Sequence, residues 1–172
     1  VLYGRPELLE LMPPYQGGGD MIETVSFAGS LYAKAPAKFE AGTPAIAEVI
    51  GLGAAIDYMT AISMDNIMAW EDKMSMYAHA ALADICGLQM FGTTPDKVGI
   101  LSFTLDGCPP ADVAMILDQM GVAVRTGHHC CQPLMSRLGV AGMIRASCGL
   151  YTDKNDIDQL VVGLQKARKL LG

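Results

Sequence analysis

The sequence predicts an α/β to α+β fold in which helices pack on a short mixed sheet. Helical patterns alternate with short apolar strand patterns after Pro44, and hydrophobic residues make up 51% of the 172 residues. A chain of this length can bury about 70% of the surface that its unfolded form exposes. The sequence therefore has enough apolar surface for a packed core without a disulfide framework.

The first 44 residues carry little periodic apolar content. Prolines and glycines interrupt them repeatedly, including the run Gly17-Gly18-Gly19, and only residues 6–11 are typical of a helix. Such a segment rarely builds a core of its own, so we expect it to pack on another surface.

Two helices are predicted after Pro44, over residues 47–61 and 66–85, and we expect Asp65 to cap the second. The apolar stretch at residues 46–64 resembles a membrane span in length, but Glu48 and Asp57 interrupt it. We interpret it as a buried helix of a globular protein and expect no membrane partner.

The remaining residues alternate between strand and helix patterns. The predicted strands are residues 88–91, 98–105, 122–125 and 143–150. The predicted helices are residues 110–120, a short segment after Pro133, and residues 153–171. Thr152 is the expected cap of the last helix, whose acidic start and basic end suit the helix dipole.

The charge and the cysteine content of the chain limit its possible binding partners and its cellular compartment. Eighteen acidic residues against 12 basic ones give a formal charge of -6, which argues against nucleic acid and anionic membranes as partners. The five cysteines are an odd number, and the neighbours Cys130 and Cys131 could pair only in a strained geometry. We therefore expect a reducing cytoplasm.

The segment His128-His129-Cys130-Cys131 holds the densest set of reactive side chains. As a metal site it lacks the usual spacing of ligand pairs, and no second pair accompanies it. As a nucleophile site it is favoured by Arg125, by the two histidines and by the helix expected after Pro133, all of which lower a thiol pKa. These residue types alone do not rank Cys130 above Cys131.

Residues 125–130, Arg-Thr-Gly-His-His-Cys, followed by Gln-Pro-Leu-Met at 132–135, strongly resemble the catalytic loop of Suf-type (group II) cysteine desulfurases. Further segments are similar to that family in the same order along the whole chain. They are Met-Pro-Pro at 12–14, the triple glycine, Phe-Glu-Ala-Gly-Thr-Pro at 39–44 and Arg-Ala-Ser at 145–147. Cys131 departs from the small residue usual in the family.

The resemblance implies the C-terminal part of a fold-type I enzyme that depends on pyridoxal 5'-phosphate, with a fold like aminotransferase class V. Its reaction would take sulfur from L-cysteine, leaving L-alanine and a persulfide on Cys130, and would feed iron–sulfur cluster assembly. The implied partners are L-cysteine, a sulfur acceptor protein that is SufE-like or SufU-like, and a second subunit of a homodimer.

The resemblance also assigns roles to other residues. Arg145 matches the arginine that binds the substrate carboxylate. Gly42 and Thr43 match the turn that reaches the cofactor phosphate of the partner subunit. Arg125 and His129 flank the thiol and are expected to tune it. No metal ligand is implied.

The resemblance further implies that residues 1–61 are the tail of a large cofactor-binding domain plus a connecting helix, and that residues 62–172 form the small domain. The cofactor-anchoring lysine would precede Val1, so this chain alone is expected to be inactive.

Two alternative functions stay open from the sequence. One is selenocysteine lyase activity on the same scaffold. The other is a sulfur-relay or metal-binding module that uses the His-His-Cys-Cys loop without pyridoxal phosphate.

Overall fold

The computed structural model describes residues 1–94 and 97–172. Contacts divide these residues into two compact units, Val1–Ala61 and Ile62–Gly172. The roles predicted for the two units, as the tail of a large domain and as a small domain, stay predictions.

The first unit combines short helices with one hairpin. Its elements are α1 (Pro6–Leu11), β1 (Ile22–Ser26), β2 (Gly29–Tyr32), a 3-10 turn (Ala37–Phe39) and α2 (Ile46–Ile62), which ends one residue beyond the unit. The antiparallel hairpin β1–β2 was not predicted. Its strands are exposed on both faces apart from the half-buried Ile22, so the sequence carries no alternation of apolar and polar residues that would indicate strands.

Lys38 is a buried lysine that links the 3-10 turn to the end of α1. Its Nζ donates hydrogen bonds to the carbonyl oxygens of Glu10 at 2.7 Å, and of Leu9 and Met12 at 3.3 Å each. These carbonyls lie at the end of α1, where backbone acceptors lack helical partners. The three donors of an ammonium group match them, which compensates the burial of the charge.

Helix α2 differs from the prediction of a buried helix, because none of its residues is buried within the described chain. Its apolar residues surround the helix instead of forming one stripe, so the pattern does not indicate a covered face. Among the described residues, no single helix has the length and apolarity to cross a membrane, and α2 passes that test only together with the next helix as a bent pair.

The second unit is an antiparallel sheet covered by helices. Its elements are α3 (Met64–Ala83), β3 (Leu88–Phe91), β4 (Ile100–Leu105), α4 (Pro110–Asp118), β5 (Arg125–Gly127), α5 (Gln132–Leu138), β6 (Met143–Ser147) and α6 (Lys154–Leu171). The strand order is β3-β4-β6-β5, and every neighbouring pair runs antiparallel. The α/β to α+β class is confirmed, but the sheet is antiparallel where a mixed one was predicted.

The core lies between one face of the sheet and the helices. Leu101, Phe103 and Leu105 of β4 and Ile144 of β6 are buried against apolar residues of α3, α4 and α6. The polar residues that alternate with them on β4 face the other way, so this strand separates the core from the opposite face of the sheet.

The strand predicted at residues 122–125 is wrong, because β5 begins at Arg125 and ends at Gly127. The N–H of Val122 instead donates to the Leu117 carbonyl at 3.0 Å, closing the end of α4. Val122 and Val124 pack against the core without joining a strand ladder. Their apolar character reflects this packing and not a strand.

Both predicted helix caps are corrected. Helix α3 begins at Met64, after Ser63, whose side chain makes no capping bond, so Asp65 is already helical. Asp153 caps α6: its Oδ1 accepts from the N–H groups of Asn155 at 2.7 Å and Asp156 at 3.2 Å, and Asp156 Oδ2 accepts from the Asp153 N–H at 2.9 Å. The Thr152 hydroxyl is occupied by the Gly149 N–H at 3.0 Å.

We expect Asp153→Ala to lower the free energy of unfolding by about 1 kcal/mol, because the reciprocal capping bonds of α6 are lost. Urea denaturation of the full-length protein, followed by circular dichroism, measures the change. Gln165→Ala on an exposed position of the same helix is the matched control and should alter stability by less than about 0.5 kcal/mol. Equal stability of Asp153→Ala and the wild-type protein would contradict this capping role.

Candidate functional site

The loop between β5 and α5 presents an exposed thiol on a strained backbone turn. His129 and Cys130 both lie in the left-handed region, with φ of 52° and 60°. That conformation costs roughly 1–2 kcal/mol for each residue that is not glycine, and such strain clusters at functional sites. The Cys131 N–H closes the turn with a 2.8 Å bond to the His128 carbonyl. The Cys130 side chain is exposed as a result.

A close backbone contact fixes the base of this loop. A Cβ atom at Gly142, just before β6, would lie 3.2 Å from Gly127 Cα and 3.2 Å from its carbonyl carbon. A side chain at residue 142 would therefore push the end of β5 away from β6. The glycine permits the pairing that positions the loop.

Two arginines face each other across β5 and β6. Arg125 pairs directly with Arg145 in the register of these strands, and Arg145 pairs with Ser102 of β4 on its other side. Residues directly opposite in an antiparallel pair share one face of the sheet. The row Arg125, Arg145 and Ser102 therefore lies on the face opposite the core that α3, α4 and α6 cover.

Neither arginine is neutralised by an acidic neighbour among the described residues. Arg125 Nη2 lies 4.0 Å from Cys130 Sγ. Arg145 Nε is buried and has no hydrogen-bond partner there. Like charges directly opposite destabilise a strand pair, and an orphaned buried donor adds a further cost. A bound carboxylate would relieve both, because its two oxygens match the planar guanidinium fork.

His129 is a neutral imidazole at pH 7. Burial lowers the pKa of its side chain below the usual 6.5, and a hydrogen bond with the Met143 backbone acts in the opposite direction. The positive charges of Arg145 and Arg125 lower the pKa further. The neutral ring, on the residue next to Cys130, can therefore accept a proton.

Cys131 is a second free and exposed thiol directly after Cys130. Its backbone precedes α5, where its carbonyl oxygen accepts from the N–H groups of Leu134 at 3.2 Å and Met135 at 3.3 Å. The loop therefore displays two neighbouring thiols to solvent. Over residues 1–94 and 97–172, no group of three or more His, Cys, Asp or Glu side chains could hold a metal ion.

Gly42 and Thr43 belong to the first unit. Gly42 has φ of +79°, and its N–H donates to the Gly19 carbonyl at 2.9 Å. The glycine run at 17–19 therefore shapes this turn, and the positive φ explains why residue 42 is a glycine. Thr43 follows on the surface with an exposed side chain.

The structure thus brings four of the six predicted site residues into the second unit's loop and sheet face: Arg125, His129, Cys130 and Arg145. Sequence reasoning missed Ser102, the register neighbour of Arg145. The alternation of polar and apolar residues in β4 was the available signal, since it places Ser102 on the face opposite the core.

A family model for aminotransferase class-V matches residues 1–160 of the chain. The chain belongs to this family. The strand order and helices described above are therefore those of a family member, which confirms the predicted fold class.

Similar proteins point to one activity. The chain is 49% identical over 173 residues to a cysteine desulfurase of Dickeya dadantii and 49% identical over 174 residues to a probable cysteine desulfurase of Streptomyces coelicolor. Each match covers 100% of this chain and 42% of the relative. The chain therefore spans less than half the length of these curated relatives.

Solved structures agree with these sequence matches. The crystal structure of the Escherichia coli cysteine desulfurase CsdA, in an S-sulfonic acid form, matches with a TM-score of 0.92 at 39% identity, over 99% of this chain and 42% of that one. The apo cysteine desulfurase of Thermococcus onnurineus NA1 matches with a TM-score of 0.87 at 35% identity, over 98% and 42%.

We expect Arg145→Gln to raise the pKa of His129, because the substitution removes one of the positive charges that lower it. A proton NMR titration of the histidine ring in the full-length protein measures the pKa. Arg168→Gln, an exposed charge in the last turn of α6, is the control and should leave it unchanged. A pKa of His129 that does not respond to Arg145→Gln would show that the two side chains are not electrostatically coupled.

Proposed function

We propose that this chain forms part of a cysteine desulfurase that depends on pyridoxal 5'-phosphate, converts L-cysteine to L-alanine and places a persulfide on Cys130. The proposal rests on the closeness of two groups. Arg145, whose buried Nε has no partner among the described residues, pairs directly with Arg125 on the neighbouring strand. The Arg125 guanidinium in turn lies 4.0 Å from the sulfur of the exposed Cys130. A carboxylate-binding group and a nucleophile thus share one site. The relatives named cysteine desulfurases support the same reaction.

Among the described residues, the turn at Gly42 and Thr43 suits the phosphate group of the cofactor. The Gly42 turn leaves the hydroxyl of Thr43 exposed as a donor for a phosphate group. When bound, pyridoxal 5'-phosphate would act as an electron sink that weakens the carbon–sulfur bond of the substrate. Lys38 is unsuited to hold the cofactor covalently, because its ammonium group donates to three backbone carbonyls.

Residues of this chain carry out substrate binding, proton transfer and nucleophilic attack. Arg145 binds and orients the carboxylate of L-cysteine. Arg125 contacts the Cys130 sulfur at 4.0 Å, and neutral His129 accepts the thiol proton. Cys130 Sγ then attacks the substrate sulfur: a sulfur–sulfur bond forms, the substrate's carbon–sulfur bond breaks, and the freed carbon gains a proton to give L-alanine.

The persulfide would then pass to a partner protein. The exposure of Cys130 suits transfer to the thiol of a SufE-like or SufU-like acceptor in the cytoplasm, in the service of iron–sulfur cluster assembly. We also propose a homodimer. The β1–β2 hairpin leaves Val25, Phe27 and Leu31 largely exposed, and apolar side chains of this kind favour burial against a second subunit.

We expect Cys130→Ser in the full-length enzyme to abolish sulfur transfer to the acceptor while the cofactor stays bound, because the hydroxyl cannot carry the sulfane sulfur. Sulfide and alanine assays with L-cysteine measure the loss, and absorbance reports the cofactor. Cys86→Ser is the matched control, since Cys86 is also free and exposed, and it should retain wild-type activity. Full sulfur transfer by Cys130→Ser would refute the assignment of the nucleophile.

We expect Arg145→Ala to weaken L-cysteine binding by about one to two decades, since a charge-assisted hydrogen bond contributes roughly 1.5–3 kcal/mol. Arg145→Lys should rescue binding poorly, because an ammonium group is a point charge without the planar fork. Steady-state kinetics give KM and kcat for both variants, with Arg168→Gln as a charge control. An unchanged KM in Arg145→Ala would mean that this arginine serves only the structure.

A further inference from the structure

Cys131 is a nucleophile that the proposed reaction leaves unused. It follows Cys130 directly, both side chains are exposed, and neither sulfur is in a disulfide. The turn at His129 and Cys130 is closed by the backbone N–H of Cys131, so the second thiol is held at the site by the bond that shapes the loop. A persulfide on Cys130 would therefore have a free thiol on the neighbouring residue.

Chain connectivity decides which sulfur of that persulfide Cys131 can attack. Thiol exchange requires the attacking, central and leaving sulfurs to lie close to a line. If the Cys131 sulfur attacked the outer sulfur, then the attacking sulfur, the outer sulfur and the leaving Cys130 Sγ would all be members of one small ring. That ring is closed through the 130–131 peptide bond and is too small to hold three sulfurs in a straight line. Attack on the inner sulfur, Cys130 Sγ, leaves the departing sulfur outside the ring. Connectivity therefore favours the inner sulfur.

We propose that Cys131 discharges the Cys130 persulfide when no acceptor protein takes the sulfur. The Cys131 thiolate attacks Cys130 Sγ, a bond forms between the two Sγ atoms, and the outer sulfur leaves with the bonding pair as hydrosulfide. The Cys131 sulfur is oxidised and the outer sulfur is reduced, so the step needs no other oxidant. This inference rests on the proposed function, which supplies the persulfide.

The product is a reversible inactive state. Neighbouring Cα atoms are about 3.8 Å apart across a trans peptide bond, whereas Cα atoms in disulfides are usually about 4.4–6.8 Å apart. A disulfide between Cys130 and Cys131 is therefore strained, and strained, exposed disulfides are readily reduced. A small dithiol reductant would restore the Cys130 thiol. The pair thus stops desulfuration in the absence of an acceptor, and reduction restarts it.

The test uses the full-length holoenzyme with one equivalent of L-cysteine per active site and without acceptor or reductant, so that no excess thiol remains to reduce the loop sulfurs. Wild type, Cys131→Ser and Cys86→Ser are compared by alanine assay, by hydrosulfide assay and by mass spectrometry of the peptide that contains both loop thiols. In wild type and Cys86→Ser we expect one equivalent of hydrosulfide and a loop peptide lighter by two hydrogens, which dithiothreitol reverses. In Cys131→Ser we expect the persulfide to persist and the hydrosulfide to be lost.

Two results would overturn the inference: a persulfide that persists in wild type as it does in Cys131→Ser, or a persulfide located on Cys131 by fragmentation of the peptide. The alanine assay reports separately on the proposed function, because absence of alanine in wild type refutes that function alone. In that case inorganic polysulfide loads Cys130 directly. Formation of the disulfide in polysulfide-treated wild type, with a persulfide that persists in Cys131→Ser, then confirms the discharge step. A persulfide that persists in both proteins overturns it.

Discussion

The register between β5 and β6 is the constraint on which the site depends. It sets Arg125 directly opposite Arg145, two like charges on one face of the sheet, with Arg145 Nε buried and unpartnered within the described chain. This arrangement is unfavourable until an anion binds. The same charges lower the pKa of His129, and the Arg125 guanidinium lies 4.0 Å from the Cys130 sulfur. The pairing that costs stability thus forms the site for which we propose a bound carboxylate beside a nucleophile.

The loop after β5 adds a second cost in conformational free energy. Left-handed backbone at His129 and Cys130 turns the chain sharply between β5 and α5, and the bond from the Cys131 N–H holds this turn in place. Cys130 is exposed at this turn, as the proposed transfer of sulfur to an acceptor requires. The same bond fixes the backbone of Cys131, the residue next to it.

Strong local patterns predicted much of the second unit. The periodicity and dipole charges of α6 and the alternation in β4 gave these elements nearly correct bounds. The β1–β2 hairpin was missed because its largely exposed strands show no alternation, and residues 122–124 were misread because they pack on the core without a ladder. The roles proposed for Cys130 and Arg145 come from the family resemblance. The positions of these two residues relative to Arg125 depend on the register between β5 and β6. That register is set by pairing between residues far apart in the sequence, so local sequence patterns do not predict it.

The most direct test of this account is a crystal structure of the full-length Cys130→Ser holoenzyme with L-cysteine bound. Removal of the nucleophile should trap the substrate before its carbon–sulfur bond breaks. We predict that the substrate carboxylate lies within about 3 Å of the Arg145 guanidinium nitrogens and that the substrate sulfur faces residue 130. A carboxylate bound elsewhere, with Arg145 Nε still unpartnered, would contradict it.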